Sequence, residues 1–243
     1  MAKACFPFLQ IAPVLAKKAR HCADRHGTVE FSFSHNGDLE KGVNKIACKF
    51  AIMQRKEGLV HVLTGDGNGK TTSAVGVAVR AAGRGMKVAF IQFLKGGLSS
   101  ELAPLKKLSV TVISGTKYCP NAAKHAAQLK EKGFIVFCKD CFAVNEEDKK
   151  LVGSAFKSAQ EFSSSGKYGL VILDEIFWAI LEKLISEDQL LSLIQNRHPS
   201  CELILTGRGA TQKIESASDY VTYVNKIRHP FDKGILSRSG IDY

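Results

Sequence analysis

Six short apolar runs punctuate the chain from Leu59 onward, at 59–63, 87–93, 109–113, 169–173, 201–205 and 220–224. Most are nearly continuous rather than alternating, the pattern of parallel strands covered on both faces. Helical periodicity fills most of the intervals, notably at 72–83, 147–164 and 186–196. Strands alternating with helices predict an α/β fold: a mostly parallel sheet, helices on both faces, right-handed crossovers, and ligands at the carboxyl ends of the strands. Residues 1–57 lack this rhythm and read as an N-terminal extension, leaving 58–243 as the main domain. Within the extension, Val29–Phe33 alternates like a strand, His35-Asn36-Gly37-Asp38 signals a turn, and 39–54 suits a helix. Residues 115–132 interrupt the later rhythm and predict a loop with a short helix.

Between the first strand and first helix stands Thr64-Gly65-Asp66-Gly67-Asn68-Gly69-Lys70-Thr71-Thr72. Its three glycines permit a sharp turn with backbone N–H groups aimed inward, and the following helix adds its free N–H groups and positive dipole end. Lys70 is placed to reach terminal phosphates and the Thr71 hydroxyl to ligate magnesium. A nucleoside triphosphate is the implied ligand, and the fold class narrows to a P-loop NTPase-like, RecA-like sheet. The loop is one residue tighter than the general pattern, because Thr64 stands where that pattern has glycine.

Composition changes this picture little. The formal charge of +11 would suit nucleic acid, but the basic residues are scattered and no aromatics interleave with them. A basic surface equally suits polyphosphates, so nucleic acid is not the expected partner. Seven cysteines, an odd number, do not form a secreted disulfide framework and point to reduced thiols in the cytoplasm. No apolar run is long enough to cross a bilayer. The acid-poor first 27 residues place Lys17-Lys18 and Arg20 after an apolar stretch, which leaves an organelle transit peptide and a folded amphipathic cap both open.

Two further strands end in chemistry. Gly169-Leu170-Val171-Ile172-Leu173-Asp174-Glu175 ends in paired carboxylates suited to magnesium, with acids at a helix N-terminus as the plainer alternative. Leu205-Thr206-Gly207-Arg208-Gly209 puts Arg208 on the same rim, to grip phosphate or to form a surface ion pair. Cys138-Lys139-Asp140-Cys141, with Cys119 and His125 upstream, could supply four zinc ligands; ordinary reduced thiols are the plainer reading.

The phosphate loop, Gln92-Phe93-x-Lys95-Gly96, Leu173-Asp174-Glu175, Thr206-Gly207-Arg208-Gly209 and the ending His229-Pro230-Phe231-Asp232-x-Gly234 through Gly240-Ile241-Asp242-Tyr243 occur in one order. In these motifs the chain resembles the ATP:cob(I)alamin (corrinoid) adenosyltransferases of the CobA/BtuR type, over roughly residues 58–243. The resemblance implies that a Co(I) corrinoid attacks C5′ of ATP and releases triphosphate. ATP is then a co-substrate, Mg2+ a cofactor and the corrinoid the acceptor. Carried over residue by residue, Lys70, Thr71, Glu175 and magnesium would stabilise the leaving triphosphate, with Asp174 and Arg208 in support. Gly65, Asp66, Gly67, Asn68, Gly69 and Thr72 complete the nucleotide cradle. An electron-donating flavoprotein reductase and a homodimer are the implied partners.

Two departures stand out. Asn68 replaces a lysine frequent in the family loop. Gly133-Phe134-Ile135-Val136 keeps the phenylalanine, Phe134, of an element that displaces the corrinoid's lower ligand, but Val136 replaces its tryptophan. Rival readings are a RecA-like nucleic-acid-binding ATPase, which leaves the Gly-Ile-Asp-Tyr ending unexplained, and a non-catalytic corrinoid or nucleotide carrier.

Overall fold

The order of apolar runs becomes a single six-stranded sheet. The structure, a computed structural model, describes residues 57–95, 99–115, 119, 121–132, 138, 140, 143–238 and 240–242. The strands are β1 (Val60–Thr64), β2 (Val88–Gln92), β3 (Thr111–Ser114), β4 (Leu170–Asp174), β5 (Glu202–Thr206) and β6 (Tyr220–Tyr223). They lie in the order β3-β2-β4-β5-β1-β6, and every neighbouring pair is parallel. The helices are α1 (Lys70–Gly83), α2 (Leu102–Lys107), α3 (Ala122–Lys132), α4 (Glu146–Ser164), α5 (Ile176–Leu181), α6 (Glu187–Asn196) and α7 (Gln212–Ser216). The strand and helix expected at 29–33 and 39–54 lie outside the described residues.

Period-two alternation divides each central strand between two cores. Val88, Phe90, Leu170 and Ile172 face one way and pack with Ala74 and Ala78 of α1 and Leu105 of α2. Ala89, Ile91, Val171 and Leu173 face the other way and pack with Val152 and Phe156 of α4 and with Leu190 and Leu193 of α6. Burying each large side chain contributes about 1.5–3 kcal/mol, so both faces need their helices. The buried face of α1 is a stripe of Lys70, Ala74 and Ala78, and its two alanines let the helix lie close to the sheet. A capping box starts α4: Asn145 Oδ1 accepts from the Glu147 and Asp148 N–H groups at 3.0 and 3.1 Å, and Asp148 Oδ2 accepts from Asn145 N at 3.0 Å.

Sequence periodicity places the long helices within two residues of their observed bounds. The short helices α2, α5 and α7 leave no such signal. α5 is the continuous apolar run Ile176-Phe177-Trp178-Ala179-Ile180-Leu181, and without polar positions no period can show.

β1 and β5 approach closely at their start. The Gly58 N–H donates to Pro199 O at 2.7 Å, and a Cβ on Gly58 would fall 2.2 Å from the Cys201 carbonyl. Since backbone cannot step aside as a side-chain tip can, Gly58→Ala should cost about 3 kcal/mol, the upper end for overpacking. Urea unfolding checks this: the midpoint drops with the slope unchanged, and an unmoved midpoint would refute the contact.

Candidate functional site

Three parallel strands deliver polar residues to one edge of the sheet. β4 ends at Asp174, β5 at Thr206 and β2 at Gln92, and α1 brings Thr71 over from the phosphate loop. Asp174 is fully buried, and its two oxygens accept four hydrogen bonds. Oδ1 accepts from Thr71 Oγ1 at 2.8 Å and from Thr206 Oγ1 at 2.7 Å. Oδ2 accepts from Lys95 Nζ at 2.9 Å and from Gln92 Nε2 at 3.2 Å. Lys95 Nζ also donates to Thr71 Oγ1 at 2.8 Å. An ammonium thus already rests against both the hydroxyl and the carboxylate expected to ligate magnesium. The donor set consists of oxygens and tolerates a cation, which is what a hard metal requires.

Glu175 follows in the left-handed region, at φ 60°, as the N-cap residue of α5. The two carboxylates therefore stand where a strand ends and a helix starts. Burial pushes the Glu175 carboxyl above the ordinary range, opposed by Lys95 and Lys70 and reinforced by Asp174. Leu94, next to Lys95, is likewise left-handed, at φ 53°. Such conformations cost of order 1–3 kcal/mol in non-glycine residues and concentrate at functional sites.

The phosphate loop is held from behind. Gly67 N–H donates to Val224 O at 2.7 Å, beyond β6, so this amide faces away from any phosphate, unlike the expected inward array. A Cβ on Gly67 would lie 2.8 Å from the carbonyl oxygens of Val224 and Asn225, and that close approach is why glycine stands there. Gly69 differs: nothing lies near its Cβ position, but φ is 119°, turning the chain into α1. The first-turn N–H groups of Lys70, Thr71 and Thr72 have no intrahelical acceptor and remain for an anion. Lys70 Nζ donates to Gly65 O at 2.6 Å and Gly67 O at 2.8 Å, and burial draws its pKa down against the upward pull of Glu175. Asp66, Asn68 and Thr72 are exposed on the rim. Arg208 reaches the same rim, its Nε 3.8 Å from Asp66 Oδ1, with both side chains largely exposed. Phe134 lies outside the described residues.

Sequence reasoning assigned no site role to Gln92, Lys95, Glu101 or Thr206. Gln92 Nε2 also donates to Glu101 Oε1 at 3.0 Å, and Lys95 Nζ lies 3.8 Å from the same oxygen. The available signal was a polar residue closing a wholly apolar strand, as Gln92 and Thr206 do.

With this geometry in place, comparison with known proteins is decisive. Residues 56–243 match the family model for ATP:corrinoid adenosyltransferases, BtuR/CobO/CobP. The chain belongs to this family. A corrinoid adenosyltransferase of Pseudomonas aeruginosa is 29% identical over 210 residues, covering 86% of this chain and 95% of that one. The Escherichia coli K12 enzyme of the same name is 27% identical, covering 82% and 92%. Corrinoid adenosyltransferase CobA of Salmonella typhimurium is 26% identical, covering 84% and 95%. This family member is accordingly a transferase, with a corrinoid as its fitting substrate class. No helix among the described residues is long and apolar enough to cross a membrane.

In this adenosyltransferase the C-terminal signature region adjoins the phosphate loop. An open hollow of about 460 Å3 is lined by Gly67 and Asn68 on one side and by Arg228, His229, Arg238 and Asp242 on the other. Arg238 Nε donates to Asp242 Oδ2 at 3.0 Å. Ile227, Phe231 and Ile241 along this segment are largely exposed.

The Lys95–Asp174 pair gives a direct test. Losing one partner of a buried ion pair costs about 3–5 kcal/mol, and Asp174 keeps three other donors, so Lys95→Met should cost about 2 kcal/mol. Chemical denaturation of the metal-free protein measures it, and wild-type stability in the variant would show that Lys95 does not compensate the buried charge.

Proposed function

We propose that the protein transfers the 5′-deoxyadenosyl group of ATP to the Co(I) centre of a reduced corrinoid, in adenosylcobalamin biosynthesis or salvage. One observation carries this reading: Lys70, Thr71, Lys95 and Asp174 converge at one sheet edge, in a chain that matches the adenosyltransferase family across that whole sheet. Cobalt supplies the electron pair, a cobalt–carbon bond forms at C5′, and the C5′–O bond breaks with its electrons leaving on triphosphate. No protein nucleophile is required. The chain's task is to hold the triphosphate so that C5′ is presented in line, and to neutralise the charge that grows on the leaving oxygen.

Lys70 would exchange the Gly65 and Gly67 carbonyls for phosphate oxygens. The N–H groups of Lys70, Thr71 and Thr72 would bind the same anion, with Gly65, Gly67 and Gly69 shaping the loop. Asp66, Asn68 and Arg208 would border it. Thr71, Asp174 and Glu175 would hold Mg2+, which supplies charge neutralisation on the triphosphate. Phe134 is assigned to the corrinoid's lower face by family likeness, and Val136 leaves that contact without its tryptophan. The catalytic unit is taken as 58–243, with 1–57 as a cap or targeting segment. Cytoplasmic action, a flavoprotein reductase and a homodimer complete the proposal.

The decisive assay supplies ATP and chemically reduced cobalamin. Light-sensitive adenosylcobalamin and triphosphate in equal amounts are expected. Orthophosphate release stimulated by DNA would instead establish the rival motor reading. In the same assay Lys70→Ala should lower turnover about 100- to 1,000-fold, as for loss of one donor to a developing anion. Unchanged turnover would remove Lys70 from the mechanism. Phe134→Ala should lose more activity when Co(II) is reduced enzymatically than when Co(I) is supplied; equal losses would refute its assignment to the lower face.

A further inference from the structure

The insertion between β3 and α4 brings two thiols and an imidazole together. Among its described side chains between 119 and 143, the buried one is a histidine, His125, at 3% exposure.

The side chains around His125 have the geometry of a metal clamp. Cys119 Sγ lies 3.7 Å from His125 Nε2 and 3.5 Å from Cys138 Sγ, and all three ligand atoms fall within 4.8 Å of one another. Tetrahedral zinc, with bonds of about 2.3 Å to sulfur and 2.0 Å to nitrogen, sets neighbouring ligand atoms roughly 3.5–3.8 Å apart. A disulfide needs about 2.05 Å between the sulfurs. Asn121 serves both thiols: its backbone N–H donates to Cys119 Sγ at 3.3 Å, and its Nδ2 donates to Cys138 Sγ at 3.4 Å. Such amide donors are the outer partners that a metal-bound sulfur accepts from. Asn121 Nδ2 also donates to Asp140 Oδ2 at 3.0 Å, fixing the residue two positions beyond Cys138.

We propose that Cys119, His125 and Cys138 form a structural zinc site that clamps this insertion. Binding displaces the two thiol protons to solvent and changes no oxidation state. Cys141 completes a Cys-x-x-Cys pair in the sequence and lies outside the described residues; the three ligands above carry the proposal without it. The chain between Cys119 and Cys138 includes Gly133-Phe134, so the metal would fix both ends of the segment assigned to the corrinoid.

The test is metal content, independent of adenosyl transfer. Full-length protein made with added zinc and passed through gel filtration should hold about one zinc per chain by plasma emission. Zinc affinity should fall at least about tenfold in Cys119→Ser and in His125→Ala, while Cys201→Ala, beneath β5, should leave it unchanged. Cobalt(II) added to the zinc-free, corrinoid-free protein should show the absorption of a tetrahedral thiolate site. Absent zinc together with absent cobalt absorption would overturn the proposal. So would zinc retained undiminished in both variants, or a Cys119–Cys138 disulfide in zinc-free protein. If either variant fails to fold, the wild-type zinc stoichiometry and cobalt spectrum decide alone.

Discussion

A carboxylate with no solvent contact stands at the centre of this structure. An unpaired charge in such a place costs several kcal/mol, so Asp174 survives only because four donors converge on it. Those donors come from the ends of β2 and β5, the first turn of α1 and the residue after Leu94. Satisfying one buried group therefore fixes three sequence-distant stretches, the start of α1, residues 92–95 and the end of β5, against β4. Thr206 transmits the constraint onward, because its hydroxyl donates to Asp174 and accepts from the Glu175 N–H at 3.1 Å. A site held in this way keeps its geometry before any ligand arrives, which is what positioning chemistry requires.

The phosphate loop has its own support, at the opposite edge of β1. Gly65 and Gly67 press against the backbone of Val224 and Asn225, and the Gly67 amide is bound there. The loop's shape thus depends on the chain that leads from β6 into the C-terminal signature region. This coupling gives a physical reason for two motifs separated by most of the domain to occur together. Lys70 Nζ adds two bonds to the Gly65 and Gly67 carbonyls from the other side of the loop.

All six strands could be read from their apolar runs, although only β2, β4 and β5 are buried at nearly every position and β6 is exposed throughout. The polar residue that ends a buried run marks the sheet edge where the site lies. That Lys70, Thr71 and Asp174 lie at the same sheet edge was legible from motif order alone. Lys95 was not, because its role depends on Leu94 turning into the left-handed region, and nothing about a leucine announces that turn. The Gly67 amide was assigned inward on general grounds, and only the proximity of Val224 reverses it. The 115–132 insertion could be recognised as an interruption, and its helix is there at Ala122–Lys132. Its packing could not be read, since polar and small residues carry no core signal.

Charge bookkeeping at the rim gives one further step. Lys70, Lys95 and Arg208 face Asp66, Glu101, Asp174 and Glu175, so these seven side chains sum to one negative charge when all are ionised. The chain as a whole carries +11. The excess positive charge therefore lies outside this cluster. On the proposed reading, a triphosphate entering a cluster that is already slightly negative needs a companion cation. Burial is the main cause of the raised Glu175 carboxyl, reinforced by Asp174 and opposed by Lys95, Lys70 and Arg208. Metal and nucleotide would then relieve each other's cost, and their affinities for this site should be coupled rather than independent.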